Sequence, residues 1–444
     1  MEDKKRKKLI DTIVVTFALF SAIFGAGSLI FPPKLGIEAG TQWPIALIAF
    51  LISGVLLPFT GVIAVSNFDG TAEGIGKYLG SAQAKIIIGI VMFVGGGIVV
   101  TPRTSATSFE LGVEPLLSNP GTAARWIFAI IYFGIVLYFA FNPSSVIDKI
   151  GKYLTPLLIV MMFLIVFKSI FMPIAKPIDV GATGVFSKSF LGGYQTLDVL
   201  GSITVAGVMI SSVVGKGYSL ESGEGRSVMR RVTLYAGIGM AIMLGGLLFL
   251  GAQGSAKYAV DMDNTALVIA LITDLFGKAG SVILGIAILL ACVTTAVGCV
   301  SAISDYTSRL TNGKLPYKGL VIFMCVVAVP MSVLGVARIL SVTGPLVDMI
   351  YPTVIILVVL GAFINFIPED IRSGLYKGSI YTALVISILG ALPAYNINIS
   401  AIDTLLNALP LYQQGFGWLI PSAIVGAICA VIGKNKSKTE AASA

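Results

Sequence analysis

Runs of about 20 apolar residues, each long enough to cross the hydrocarbon core of a bilayer as a helix, recur along nearly the whole chain with short polar stretches between them. Twelve such runs stand out, at 9–36, 43–67, 85–112, 123–141, 147–172, 190–215, 228–253, 279–304, 318–336, 345–366, 379–395 and 416–433. In lipid a helix satisfies its backbone polar groups within one segment, so the pattern predicts an all-α integral membrane protein of 12 transmembrane helices. The gaps are too short to fold as a soluble domain, which leaves a single transmembrane domain over 1–444. A further apolar stretch, 263–276, is too short to span. With Asp263 or Asn264 to cap its start and Gly277 to end it, it reads as a loop helix, or alternatively a moving lid. The basic start Met1–Lys8 imitates a secretory signal peptide, but the apolar run behind it continues past signal length and eleven more follow.

Composition agrees with this pattern. Charged residues make up 12% of the chain, against about 25% in soluble domains. The net charge of +8 does not point to nucleic acid, because the basic residues sit in short clusters between the apolar runs. With the N-terminus in the cytoplasm, twelve spans put 21 of the 30 lysines and arginines on the inner side, which favours both termini cytoplasmic. Cys292, Cys299, Cys325 and Cys429 all lie in apolar stretches and read as core residues rather than disulfides or zinc ligands. The chain has no histidine, which removes the commonest general base and any histidine proton relay. A membrane-embedded enzyme would need a nucleophile with a base, or a metal cluster, at one depth, and no such set is visible. A passive channel is a third class, excluded once accumulation against a gradient is seen.

Two runs are weak in their middles. In the first, Ser21–Gly27 reads SAIFGAG and is followed by SLIFPP. In the sixth, whose centre is near residue 202, Gly201, Thr204 and Gly207 fall in LGSITVAG. Glycine and proline are poor helix formers, so both are candidate breaks near the midplane. They lie five runs apart and so cross in opposite directions, the pattern of an inverted-repeat transporter. A break frees N–H and C=O groups that lipid cannot satisfy and a ligand can. The N-terminal end of a half-helix suits a carboxylate, and freed carbonyls suit an ammonium group or a cation. The bland alternative is that these glycines only let helices pack closely.

The eighth run carries Ala291-Cys292-Val293-Thr294-Thr295. Adjacent threonine hydroxyls either bond back to the preceding turn or supply two oxygens to a hard cation. With no carboxylate at that depth, a monovalent ion fits better than a divalent one. Intramembrane charges are functional candidates by default. Arg103 lies 18 residues after Lys85, about 27 Å along a helix, near the outer boundary. Asp198, early in the sixth run, falls at similar depth. The two are expected to pair, directly or through water, as an outer gate; the alternatives are a permanent packing bridge, or two charges that each face water. Lys168, 19 residues after Lys149, also falls at the outer edge, so the fifth run has no lysine midway to replace a metal ion.

The blocks FALFSAIFGAGSLIFPP, TPRTSATSFELGVEPL, GGYQTLDVLGS, ACVTTAVG, MIYPTVIILVVLG and LPLYQQGFGWLIPSAIVG resemble the bacterial branched-chain amino acid carrier family, the leucine/isoleucine/valine–cation symporters of the amino acid–polyamine–cation superfamily. The resemblance runs nearly end to end. It implies the fold of the bacterial leucine transporter: two inverted repeats of five helices, about 9–172 and 190–366, with helices 1 and 6 broken, and two extra helices in about 379–433. It further implies cation-driven uptake of leucine, isoleucine and valine across a bacterial cytoplasmic membrane. Carried over from that wider fold, a sodium site would use the carbonyls of Ser21 and Phe24, the carbonyl of Ala291 and the hydroxyls of Thr294 and Thr295. The amides of Ala26, Gly27 and Ser28 would hold the substrate carboxylate, and carbonyls around Thr204, Val205, Ala206 and Gly207 its amine. The tyrosine that usually binds the carboxylate from helix 3 has no clear counterpart; Thr101, Thr104 and Ser105 are the polar substitutes in reach. The expectation is therefore a sodium symporter working by alternating access, with no organic cofactor, no nucleic acid and no obligate protein partner. Proton coupling, or another small neutral amino acid as cargo, is the alternative.

Overall fold

The computed structural model describes residues 2–117, 120–141, 155–220 and 223–443, which are helical with short connections and contain no strand. Eight helical stretches are long and apolar enough to cross a membrane, and four shorter apolar helices accompany them. The first expected run is two helices, α1 (Glu2–Ile23) and α2 (Ala26–Ala39), parted at Phe24–Gly25. The second is α3 (43–67), with a π-helical turn at Ile52–Leu56. The third is α4 (Ser81–Leu116), wound as a π-helix over Val91–Val100 and again over Ser108–Val113. Then come α5 (Thr122–Ala140) and α6 (Thr155–Phe171); the start of the fifth run, 147–154, lies outside the described residues. The sixth run is α7 (Val185–Tyr194) and α8 (Asp198–Gly215). The remainder is α9 (Glu224–Gly254), α10 (Asn264–Phe276), α11 (Lys278–Leu310), α12 (Tyr317–Val333), α13 (Val336–Ala362), α14 (Glu369–Ala391), α15 (Ser400–Asn407) and α16 (Leu419–Ser443).

The break in the sixth run is not where the sequence placed it. LGSITVAG lies inside α8, and the chain parts earlier, at Gln195-Thr196-Leu197, with Leu197 in the left-handed region at φ 68°. Gly201 and Gly207 are spanned by a continuous helix that packs against α1 and α3. The interruption follows from a helix start that the sequence carries: the Asp198 N–H donates to the Thr196 hydroxyl at 3.4 Å, and Asp198 is the acidic residue of the first turn. In the first run Pro32 and Pro33 do not end the helix but sit inside α2. Their missing N–H groups cost backbone bonds, and here α9 crosses α2 at backbone distance. A Cβ on Gly36 would meet Leu248 O and lie 2.7 Å from Ala252 N; one on Gly251 would meet Pro33 O.

The short helix α10 forms where the sequence placed it. Asp263 caps it, accepting from the N–H groups of Thr265 (2.9 Å) and Ala266 (3.1 Å), and Gly277 (φ 60°) follows its end. Leu267, Val268, Leu271, Ile272 and Leu275 are buried, and the helix packs on α11 and α2 as a loop helix. Burial alone would raise the Asp263 carboxyl. The bonds from the Thr265 hydroxyl and from the N–H groups of Ala266, Thr265 and Asn264 outweigh it and hold the carboxyl below its usual value. With the folded value depressed, the cap stabilises above the ordinary aspartate range and its contribution is lost as pH falls through the lowered value. Asp263→Ala is expected to cost α10 about 1 kcal/mol. Amide exchange across Asn264–Phe276 should speed up at neutral pH, and the difference from the parent should shrink under acid.

Candidate substrate and cation site

The break between α1 and α2 lies against α11. Ser21 in the last turn of α1 and Phe24 in the break turn their carbonyls to the paired threonines. The Thr294 hydroxyl donates to Ser21 O (3.0 Å) and Ala291 O (2.9 Å), and the Thr295 hydroxyl to Ser21 O (3.3 Å) and Phe24 O (3.4 Å). Five oxygens named from the sequence thus converge, all from buried residues. The threonines do not only bond back along their own helix; they reach across to α1. Gly25 makes the approach possible, since a Cβ there would lie 3.0 Å from Thr295 Oγ1. From α6, Thr155 donates to Ser21 Oγ at 2.8 Å, so three helices meet at Ser21. No carboxylate takes part, and among the described residues no group of three His, Cys, Asp or Glu could hold a metal. The donor set therefore suits a monovalent cation.

Ala26, Gly27 and Ser28 are the first three residues of α2, whose N–H groups have no acceptor within the helix. Gly25 before them offers no side chain to cap them. What stands there instead is Asp198, whose carboxylate oxygens accept from the Ser28 hydroxyl at 3.2 and 3.3 Å. Arg103 of α4 reaches the other break: Nη1 donates to Gln195 O (2.7 Å) and Nη2 to Thr196 O (2.9 Å), with Phe31 beneath the guanidinium. Arg103 and Asp198 are 2% and 4% exposed. In this structure the two make no direct ion pair with each other. The guanidinium is drawn to the carbonyls that the break frees, and the carboxylate to the end of α2.

The other expected substrate residues lie on α4 and α8. Thr204, Val205, Ala206 and Gly207 lie within α8, where their carbonyls serve the helix, and the Thr204 hydroxyl donates to Leu200 O at 2.8 Å. The freed carbonyls are those of Gln195 and Thr196. The Thr101 and Thr104 hydroxyls donate to Gly96 O (2.7 Å) and Thr101 O (2.6 Å), so as donors they are taken. Ser105 lines a small crevice with Phe109, Glu110 and Arg125. The sequence reading missed Gln195 and Thr196, although QTLD, a threonine two residues before an aspartate, is a helix-start signal set inside an apolar run. Gln195 also donates from Nε2 to Asp348 of α13 at 3.3 Å, and Tyr194 stacks on Tyr351.

Two cavities approach the breaks from opposite ends. One, of about 640 Å³, is lined by Met92, Thr204, Gly207, Ser301 and Asp305 and runs out past Lys216 and Arg309. This is the side of the N-terminus, where Lys8 pairs with Glu224 and Asp11 accepts from Tyr218. The other, of about 580 Å³, is lined by Lys34, Glu38, Lys188 and Asp261. Neither is lined by residues 24–28 or 195–198.

The profile described as branched-chain amino acid transport protein matches residues 8–436. The chain belongs to the branched-chain amino acid transport protein family. It is 34% identical over 427 residues to the branched-chain amino acid permease BraB of Bacillus subtilis, with 94% of each chain covered. To the branched-chain amino acid transport system 3 carrier protein of Pseudomonas aeruginosa it is 31% identical, over 96% of this chain and 97% of that one. Members of this family are multi-pass membrane transporters, not enzymes. Among solved structures, MhsT in complex with L-phenylalanine matches with a TM-score of 0.52 at 15% identity, over 95% of this chain and 98% of that one. Mhp1, a nucleobase-cation-symport-1 family transporter, matches with a TM-score of 0.52 at 14% identity, over 96% and 93%. At such identity these two speak for the fold alone.

Proposed function

We propose that this chain imports leucine, isoleucine and valine across a bacterial cytoplasmic membrane in symport with sodium, by alternating access of two inverted five-helix repeats. The substrate class is supported by the permeases and carriers to which the chain is similar. The coupling ion is supported by one observation above all, the convergence of five neutral oxygens from Ser21, Phe24, Ala291, Thr294 and Thr295 between the first break and α11. A sodium ion bound there fastens α1 to α11, and its release frees them. With both termini cytoplasmic, the cavity between α4, α8 and α11 is the release route, and the buried Arg103 layer closes the outer side. A second reading, proton coupling, is favoured by the buried Asp198 carboxylate at the two breaks.

The test is uptake of radiolabelled leucine into proteoliposomes with sodium and proton gradients imposed separately. Accumulation driven by inward sodium alone supports the first reading. Accumulation driven only by an inward proton gradient replaces sodium with protons. No accumulation of leucine, isoleucine or valine under either gradient defeats the transport reading.

A further inference from the structure

The two charges at the breaks are buried, opposite in sign and both beside the first turn of α2, yet they make no direct pair. A Cβ on Gly27 would lie 2.6 Å from Arg103 Nη2 and 2.7 Å from Thr196 O, so the guanidinium, the first turn of α2 and the freed carbonyls adjoin one another. Arg103 Nε is buried with no hydrogen-bond partner. A buried arginine and a buried aspartate each carry a desolvation cost that a mutual bridge would offset. Here each is held instead by a group at a helix break. Arg103 spends its donors on Gln195 O and Thr196 O, and Asp198 takes the Ser28 hydroxyl.

These contacts divide into a positive half and a negative half. Arg103 and the orphan N–H groups of Gly27 and Ser28 form the first. Asp198 and the carbonyls of Gln195 and Thr196 form the second. Each half is also the complement of one end of an α-amino acid. We infer that Arg103 and Asp198 read the main-chain charges of the transported amino acid, the guanidinium binding its α-carboxylate and the aspartate its α-ammonium. Without cargo Arg103 rests on the Gln195 and Thr196 carbonyls and Asp198 on the Ser28 hydroxyl, and that closes the breaks. With cargo, carboxylate and ammonium, attached to one carbon, insert between them and exchange every contact for one of the same kind. Recognition of both ends is then by full charges as well as by backbone, and an amine or an acid alone leaves one buried charge without a counter-charge.

The inference rests on the amino-acid transport reading above. It is tested on the purified full-length carrier by binding of three probes: leucine, 4-methylpentanoate, which lacks the ammonium group, and leucinamide, which lacks the carboxylate. The parent should prefer leucine to both. Asp198→Asn should weaken leucine about 10- to 100-fold while leaving 4-methylpentanoate within about threefold, so that the preference for the ammonium group collapses. Arg103→Gln should do the same for leucine against leucinamide. Asp198→Glu and Arg103→Lys keep the charge and should recover part of the affinity, which also covers the case in which a neutral variant does not fold. Equal loss of leucine and the matching analogue, or no recovery with the conserved charge, makes the pair structural and overturns the inference. Parent-like leucine affinity in both neutral variants overturns it while leaving the transport reading intact. A parent that binds none of leucine, isoleucine and valine overturns both.

Discussion

Gly251→Leu is expected to prevent the carrier from accumulating as a folded, monodisperse protein. Gly251 of α9 faces Pro33 of α2, and Gly36 of α2 faces the turn between Leu248 and Ala252, so the two helices cross with backbone against backbone. A Cβ on Gly251 would lie 2.6 Å from both the Cα and the carbonyl carbon of Pro33. Overpacking typically costs roughly 1–3 kcal/mol when a flexible side chain can yield. Here the obstruction is main chain, stiffened by two consecutive prolines, so the cost should lie at or above the top of that range. The consequence reaches the site, because α2 carries Ala26, Gly27 and Ser28 at its start. Size-exclusion profiles and thermal unfolding of the purified protein are the measurements, with Gly201→Ala as the control. A Cβ at Gly201 meets nothing within 4 Å, and alanine in a helix interior is favoured over glycine by roughly 0.5–1 kcal/mol. That variant should be as stable as the parent or more so, and should still transport. A well-folded Gly251→Leu carrier would mean that α2 and α9 do not approach this closely. Loss of transport in a stable Gly201→Ala carrier would restore the break to the middle of α8.

Thr294→Ala and Thr295→Ala should each raise the sodium concentration for half-maximal uptake by about tenfold or more. Each removes one of five oxygens from a site that has no carboxylate to compensate, and a contact to a charged group is worth about 1.5–3 kcal/mol. Thr294→Ser and Thr295→Ser keep the hydroxyl and should change it little. The hydroxyls also tie α11 to Ser21 and Phe24 without any ion, so a purely structural role must be separated from coordination. A structural role would lower thermal stability equally in the presence and absence of sodium. Coordination would remove the stabilisation that sodium adds to the parent. If both alanine variants keep the parent's sodium dependence, the hydroxyls serve only to join the helices. If the parent itself ignores sodium, the five oxygens are not a sodium site at all.

Gly27→Leu would be a poor probe of the substrate alone. The added side chain meets Thr196 main chain and Arg103 before it meets any ligand, so lost binding would not separate an occupied site from a displaced break. The Arg103 and Asp198 variants, read with charge-deleted analogues, do not share that difficulty.

What the sequence alone determined is what depends on composition and local pattern. Apolar length and the sparseness of charge gave the membrane helices, because the bilayer imposes one length on every span. SAIFGAG placed the first break within a residue or two, because fixing glycine in a helix costs more backbone entropy than fixing any other residue. Asp263 and Gly277 bounded α10, because caps are local chemistry. Thr294 and Thr295 were legible as adjacent hydroxyls in an apolar run, while Ala291, Ser21 and Phe24 were named from the resemblance to the wider transporter fold. Tertiary structure decided the rest. Glycine content near residue 202 resembled a break, yet α8 runs through it, since neighbouring helices leave space at Gly201 and the start signal at Thr196–Asp198 acts first. Charge and depth brought Arg103 and Asp198 to one level, but sequence distance carries no information on which acceptor each finds. Two carbonyls freed by the second break lay closer to the guanidinium's fork than the carboxylate did, and the first turn of α2 lay beside Asp198. Partner choice among buried polar groups is settled by which orphans the packed helices bring together, and only the assembled fold specifies that.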